Sequence, residues 1–367
     1  MKKNYLNLLV GAVAFSSILV SCKKDEPVTP ATPTPEVPTT YSFNNVYYLG
    51  QKQRLAMLSE ISNEIKKGTS GSLSAQKLKD MYNNSGSPFV DTTDNLQLNT
   101  SGKKIKDKVY AADAALYESY FDSLAAFSLS SAPASEGVAG VATSGTSKYL
   151  LNSRGQELTQ LFQKSLMGAL IFYQIGEVYL SDAKVGDAVD NTTVKAGEGT
   201  SMEHAWDEAF GYFGVPVDFP TNKSGLQFVG SYSNQRDALL GCNKKIMDAY
   251  LKGRAAISNK DMATKKAQIT IIRTEIERVL AASAIHYMNE TATNIADAGK
   301  RAHALSEGYG FINALKYNSY KKISTSELDE IFAILGDNFY QITADKLTQV
   351  KNKVSTIYGM DSIKDIL

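Results

Sequence analysis

The chain has 367 residues, 39 basic and 38 acidic side chains, a net charge of +1, and 43% hydrophobic residues that include 20 Tyr and 14 Phe. Such a composition supports one large core or two ordinary ones and excludes disorder for most of the chain. The near-neutral balance argues against nucleic acid as a partner, because phosphates need a basic surface.

Met1-Lys2-Lys3 followed by the apolar run from Leu6 to Val20 reads as a signal sequence, and Leu19-Val20-Ser21-Cys22 matches a bacterial lipobox. The run is short for a membrane span, and a cysteine at the cleavage point has no role in an ordinary signal peptide. Residues 1–21 are therefore expected to be removed and Cys22 to be the lipidation site, with acyl chains holding a water-soluble domain at a membrane. Losing Lys2 and Lys3 leaves 37 basic against 38 acidic residues, a net charge of −1. Residues 22–40, with Pro27, Pro30, Pro33, Pro35 and Pro38, read as a semi-rigid tether. Within it, Lys23-Lys24-Asp25-Glu26 resembles the signal that sends Bacteroidetes lipoproteins to the outer face of the outer membrane.

Helical spacing begins at Gly50: Leu55, Leu58, Ile61 and Ile65 step by three and four, and Lys66-Lys67-Gly68 supplies a basic last turn and a stop. A shorter helix is expected over Leu73 to Tyr82, then a loop to about Ser101, then a helix over 103–127. Residues 128–147 are mostly Ser, Ala, Gly and Thr and read as a mobile surface loop. Residues 157–180 form the most apolar helix, apolar round much of its circumference and so expected to be buried. Gln174 and Glu177 interrupt it before it reaches the length of a span, and Gly168 and Gly176 would let neighbours approach. Thr200-Ser201 can cap the next helix, with Glu203 in its first turn, and Gly214, Pro216 and Pro220 end it. Helices at about 234–252, 262–290, 292–317, 325–336 and 343–357 follow. Cys242 recurs with Leu239, Ile246 and Tyr250 at helical spacing and reads as a small buried hydrophobe. With Cys22 lipidated, no disulfide is available within the chain. The fold class expected is all-α, in two helical bundles over residues 41–225 and 226–367.

The stretch His204-Ala205-Trp206-Asp207-Glu208-Ala209-Phe210-Gly211-Tyr212 recurs as His303-Ala304-Leu305-Ser306-Glu307-Gly308-Tyr309-Gly310-Phe311. Both copies place Ala at +1 from the histidine, Glu at +4, an aromatic at +6, Gly at +7 and an aromatic at +8, which reads as a degenerate internal pseudo-repeat. On a helix, i, i+4 and i+7 share a stripe, so each copy presents His, Glu and Gly on one face. Glycine there costs about 1 kcal/mol relative to alanine, and its recurrence predicts the close approach of another helix or of a ligand. If the copies pack about a pseudo-two-fold axis, His204, Glu208, His303 and Glu307 form a candidate site for iron or zinc, since bundle cores build metal centres from inward Glu and His. The alternative is that each His–Glu pair is a hydrogen-bonded contact holding helices in register. His286, on the preceding helix, is a further candidate ligand or a core histidine.

Four stretches carry a resemblance: Gly50-Gln51-x-x-Arg54-Leu55-x-Met57-Leu58, Lys164-x-Leu166-Met167-Gly168-Ala169-Leu170, Glu203-His204-x-Trp206-Asp207-Glu208-Ala209-Phe210-Gly211-Tyr212-Phe213, and His303-Ala304-Leu305-Ser306-Glu307. Together they resemble a family of Bacteroidetes lipoproteins known only as a domain of unknown function and distantly similar to the imelysins. That resemblance implies an all-helical pair of related bundles and a part in iron uptake at the outer membrane or periplasm. The imelysin hallmark is Gly-x-His-x-x-Glu. Here Met202 stands at the glycine position, His204 at the histidine and Asp207 at the glutamate, which adds Asp207 to the candidate ligands. Some imelysin relatives carry a metallopeptidase label, but the sequence has no His-Glu-x-x-His.

The leading expectation is a non-enzymatic, outer-membrane lipoprotein, on the periplasmic or cell-surface face, that binds iron, haem or another small ligand and passes it to an outer-membrane transporter. A metal-dependent hydrolase and a structural or adhesive lipoprotein are the alternatives. Hydrolysis would need an open coordination position with a general base beside it.

Overall fold

Helical periodicity governs the architecture of the computed structural model, which describes residues 37–90 and 96–367. The signal sequence, the Cys22 lipidation site and the tether as far as residue 36 lie outside the described residues. Twelve α-helices are present among the described residues: α1 (Leu49–Lys66), α2 (Ala75–Asn83), α3 (Ala114–Ser128), α4 (Leu158–Leu166), α5 (Asp182–Val185), α6 (Ser201–Phe213), α7 (Phe228–Leu240), α8 (Cys242–Ser258), α9 (Met262–Thr293), α10 (Ala298–Ala314), α11 (Thr325–Leu335) and α12 (Ala344–Tyr358). One two-stranded sheet, β1 (Gly140–Ser144) with β2 (Ser147–Leu151), accompanies them. The all-α expectation holds in that form. No described helix is long and apolar enough to cross a membrane.

The described residues pack as one unit round α9, a 32-residue helix against which α7, α8, α10 and α12 all lie. Ile272, Ile276, Val279, Leu280 and Ile285 of α9 are completely buried, and each such side chain contributes roughly 1.5–3 kcal/mol on leaving water. α10 bridges α9 to α4, while α6 rests on α1 and α8. The core reaches back to Tyr41, which stacks on Phe210 with ring centroids 3.7 Å apart.

Local signals explain the boundaries. Thr200 caps α6 in a full capping box with Glu203, as its sequence suggests, and Gly214 at φ 74° ends it. Cys242 is fully buried on α8 with Ile246 and Tyr250, as expected, whereas Leu239 belongs to α7 and is 37% exposed.

Three expectations are corrected. Residues 128–147 are not simply a loop: β1 pairs antiparallel with β2 from Gly140↔Leu151 to Ser144↔Ser147, turning through Gly145 at φ 58°. The Gly-Thr pair is a hairpin turn signal, hidden by strands whose outer positions are Ser, Thr and Lys. The helix expected over 103–127 begins only at Ala114, because Lys106–Lys108 and Ala111–Asp113 are 3-10 turns and the Tyr110 amide is committed elsewhere. The helix expected over 234–252 is two helices, α7 and α8, broken where Gly241 adopts φ 59°.

Candidate functional site

Helix α4 does not continue as an α-helix. Residues Met167–Phe172 and Gln174–Tyr179 wind with π pairing, with Tyr173 between the two segments. Each π turn holds more residues than an α turn, which displaces backbone carbonyls from the ladder, and such turns gather at functional sites. Close packing accompanies the distortion: a Cβ on Gly168 would lie 2.3 Å from the Ala314 Cα and 2.4 Å from its carbonyl oxygen. Carbonyls of this stretch are taken by neighbours. The Tyr110 amide donates to the Ala169 oxygen at 2.8 Å. Arg273 donates through Nε and Nη2 to the Gly176 oxygen at 3.1 and 2.6 Å, and through Nη2 to the Leu180 oxygen at 3.0 Å. These bonds fix Tyr110 on one side of the π stretch and the long helix α9 on the other.

Beside the π stretch lies a cleft of about 540 Å³, within the usual size of a small-ligand site. Tyr110, Tyr173 and Tyr317 form one wall, and Leu328 and Phe332 of α11 contribute apolar surface. Tyr110 meets Tyr173 at 5.3 Å and 81° and Tyr317 at 5.6 Å and 62°, so the rings make a corner of edges and faces. The polar groups are Asp113, Glu177, Asn318, Ser319, Thr325 and Asp329, with Lys316 and Lys321. The Tyr317 hydroxyl donates to Asp113 Oδ2, to which Lys316 also lies 3.1 Å away. Burial, reinforced by that bond, holds the Tyr317 pKa well above its ordinary value, so it stays a donor. Glu177 accepts from the Ser319 amide at 3.0 Å and from its hydroxyl at 2.8 Å.

Asn318 is the exception in this wall. It is 1% exposed, its Oδ1 accepts from the Tyr320 amide at 3.1 Å, and its Nδ2 is buried with no hydrogen-bond partner. The Tyr320 amide can only donate, so the atom facing it must be the oxygen and the unused atom must be the NH₂. Leaving a buried donor unmet costs about 1–3 kcal/mol.

The histidine motifs lie elsewhere. His204 approaches Glu208 at 3.8 Å and stacks on Tyr47, and its Nδ1 is buried without a partner. Glu208 is held by Gln51 at 2.7 Å and the Tyr179 hydroxyl at 3.2 Å. Asp207, fully buried, points away from His204 to the Tyr41 hydroxyl at 2.7 Å and Arg254 Nε at 2.9 Å. Burial outweighs Arg254 and pushes the Asp207 carboxyl up to about 7.

In the second motif His303 Nδ1 meets Glu157 at 2.6 Å while Nε2 lies 3.8 Å from Glu307. Burial opposes charge on His303, but Glu157 and Glu307 outweigh it and raise the pKa. Glu307 also pairs with the buried Lys164 at 2.9 Å. His286 lies beside Glu290 at 3.6 Å.

The expected glycine approach is present in both copies. A Cβ on Gly211 would sit 2.7 Å from Tyr48 and 3.0 Å from Gln51 of α1, and one on Gly310 2.6 Å from Lys164 of α4. The Glu at +4 bonds the same neighbouring helix each time, Glu208 to Gln51 and Glu307 to Lys164. His204 thus joins Glu208, and His303 joins Glu307 and Glu157, but Asp207 and Glu307 face cations of the protein itself. Among the described residues no group of three or more His, Cys, Asp or Glu is arranged to hold a metal ion.

Glu157 and the whole cleft were missed from sequence. Glu157 is 146 residues from His303, and the only hints of the cleft were the glycines at 168 and 176 in an otherwise apolar helix.

No curated protein and no solved structure matches the chain. Residues 38–361 match the family described as Domain of unknown function (DUF4856), and the chain belongs to that family.

Proposed function

We propose that this chain is a lipid-anchored, non-enzymatic binding protein of the outer membrane that takes a small organic ligand in the cleft over the π-helical stretch. The observation that carries the reading is Asn318: a buried amide donor without a partner, on the wall of a 540 Å³ cleft lined by three tyrosines. A ligand acceptor would repay that unmet donor. Binding is favoured over turnover because both Glu177 oxygens and the Oδ2 of Asp113 are already tied to protein donors. The anchor rests on the lipobox ending at Cys22 and the proline-rich tether.

The His204 and His303 motifs are read as helix locks within an internal pseudo-repeat of two related bundles. Their parallel contacts support this: in each copy the glutamate and the glycine engage one neighbouring helix. The kinship to imelysins suggested by the motifs remains part of the proposal, with iron as the ligand to be tested against an organic one.

The test is ligand-induced thermal stabilisation of the purified protein across saccharides, nucleosides, amines, haem and iron salts, using Tyr173→Ala and a His204→Ala/His303→Ala double variant. Stabilisation abolished by Tyr173→Ala and retained by the double variant is expected. The reverse pattern, with stoichiometric iron in the wild type, would overturn the cleft in favour of a metal site.

A further inference from the structure

Resting on the cleft as the binding site, we infer that its ligand is an uncharged saccharide. Three features select that chemistry. The first is the corner of rings. Tyr110 is 41% exposed and stands nearly perpendicular to Tyr173. An aromatic face is electron-rich, and the C–H bonds on one face of a pyranose carry partial positive charge, so a sugar ring lies flat on such a surface. Two rings set at a steep angle grip one face and one edge of the same ring.

The second feature is charge. The lining carries Asp113, Glu177 and Asp329 against Lys316 and Lys321. Asp113 is compensated by Lys316 at 3.1 Å and by Tyr317, while Ser319 holds Glu177 through both its amide and hydroxyl. No strong net field is left to select an anion or a polycation. What remains is a mixture of donors and acceptors, which suits a ligand whose hydroxyls serve as both.

The third feature is the direction of the unmet bond. Asn318 Nδ2 is a donor, so the ligand must bring an acceptor oxygen. A protonated polyamine has none. Tyr317 and Lys316 both meet Asp113 at Oδ2, and among the described residues no donor reaches its Oδ1. Asn318 and Asp113 both line the cleft, so one donor and one acceptor belong to the same lining, the pair needed by adjacent hydroxyls of a sugar. Haem would find no His, Met or Cys in the lining.

The experiment is titration calorimetry of the purified full chain with the hexasaccharides of cellulose, starch, xylan and chitin, with spermidine and haem as contrasting probes. Tyr110→Ala and Tyr173→Ala are the test variants, since Tyr110 is exposed and its removal leaves the core intact. The expected result is binding of at least one hexasaccharide, weakened about tenfold or more by either variant. Binding of spermidine or haem but no hexasaccharide, with the same sensitivity to the variants, would overturn the saccharide assignment and leave the cleft as the site. Failure of every probe to respond to either variant would overturn both. Release of new reducing ends from a bound hexasaccharide would keep the ligand class and replace binding with hydrolysis.

Discussion

Replacing Asn318 with leucine should remove binding without removing stability. In the unliganded protein the Asn318 NH₂ is buried and unpartnered, a condition that costs about 1–3 kcal/mol. Leucine, with the same number and branching of heavy atoms, relieves that cost and also loses the bond from the Tyr320 amide to Oδ1 at 3.1 Å. A neutral hydrogen bond contributes about 1 kcal/mol net, and this one is only part-buried. The two terms oppose, so Asn318→Leu should lie between unchanged and about 2 kcal/mol more stable in urea unfolding, with unchanged slope. Ligand affinity should fall by about tenfold for the lost donor. A destabilisation of about 3 kcal/mol or more, the size expected for a group with a structural role, would refute the reasoning.

Arg254→Met should cost roughly 3–5 kcal/mol near pH 8, because it strands Asp207 in the core. Burial raises that carboxyl to about 7, so the cost should shrink at pH 5, where Asp207 is protonated; urea unfolding at the two values checks this. Gly253→Ala should destabilise by about 1–3 kcal/mol, the range for overpacking, since the new Cβ would lie 2.0 Å from the buried Trp206 ring. Calorimetric melting measures it, and a neutral result would mean that the ring can move. His303 has a folded-state pKa above its ordinary 6.5. Its contribution is therefore complete below that value and is lost as pH rises above it, through the folded one. Glu157→Gln should flatten that part of the stability–pH curve, and an unchanged curve would mean that the pair is not ionised.

The helices were largely legible because burial imposes a 3.6-residue period on Leu55, Leu58 and Ile61 and on Ile272, Ile276 and Val279 alike. The stripe of His204, Glu208 and Gly211 was legible for the same reason: one helix fixes those positions. What the stripe touches was not. Gln51 and Glu157 come from other helices, and nothing local marks them. Asp207 shows the limit most clearly, because the resemblance to the imelysin pattern placed it among the candidate ligands, whereas helical rotation turns it to Arg254. The π segments changed the hydrogen-bond register without changing the apolar pattern, so residues 157–180 still read as an ordinary helix. The cleft therefore combines residues near 113, 177 and 318 whose neighbourhood exists only after α4, α9 and α10 have packed. Asn318 follows a helix end, where an asparagine is unremarkable until its donor is found buried.

Hydrogen exchange of the purified protein, with and without the compound that stabilises it most, tests the cleft most directly. Protection should concentrate at residues 110–113, 173–180 and 316–321, with 201–208 and 303–307 unchanged. Protection confined to the two histidine motifs would contradict the cleft and return the search to a metal or ligand held by His204 and His303.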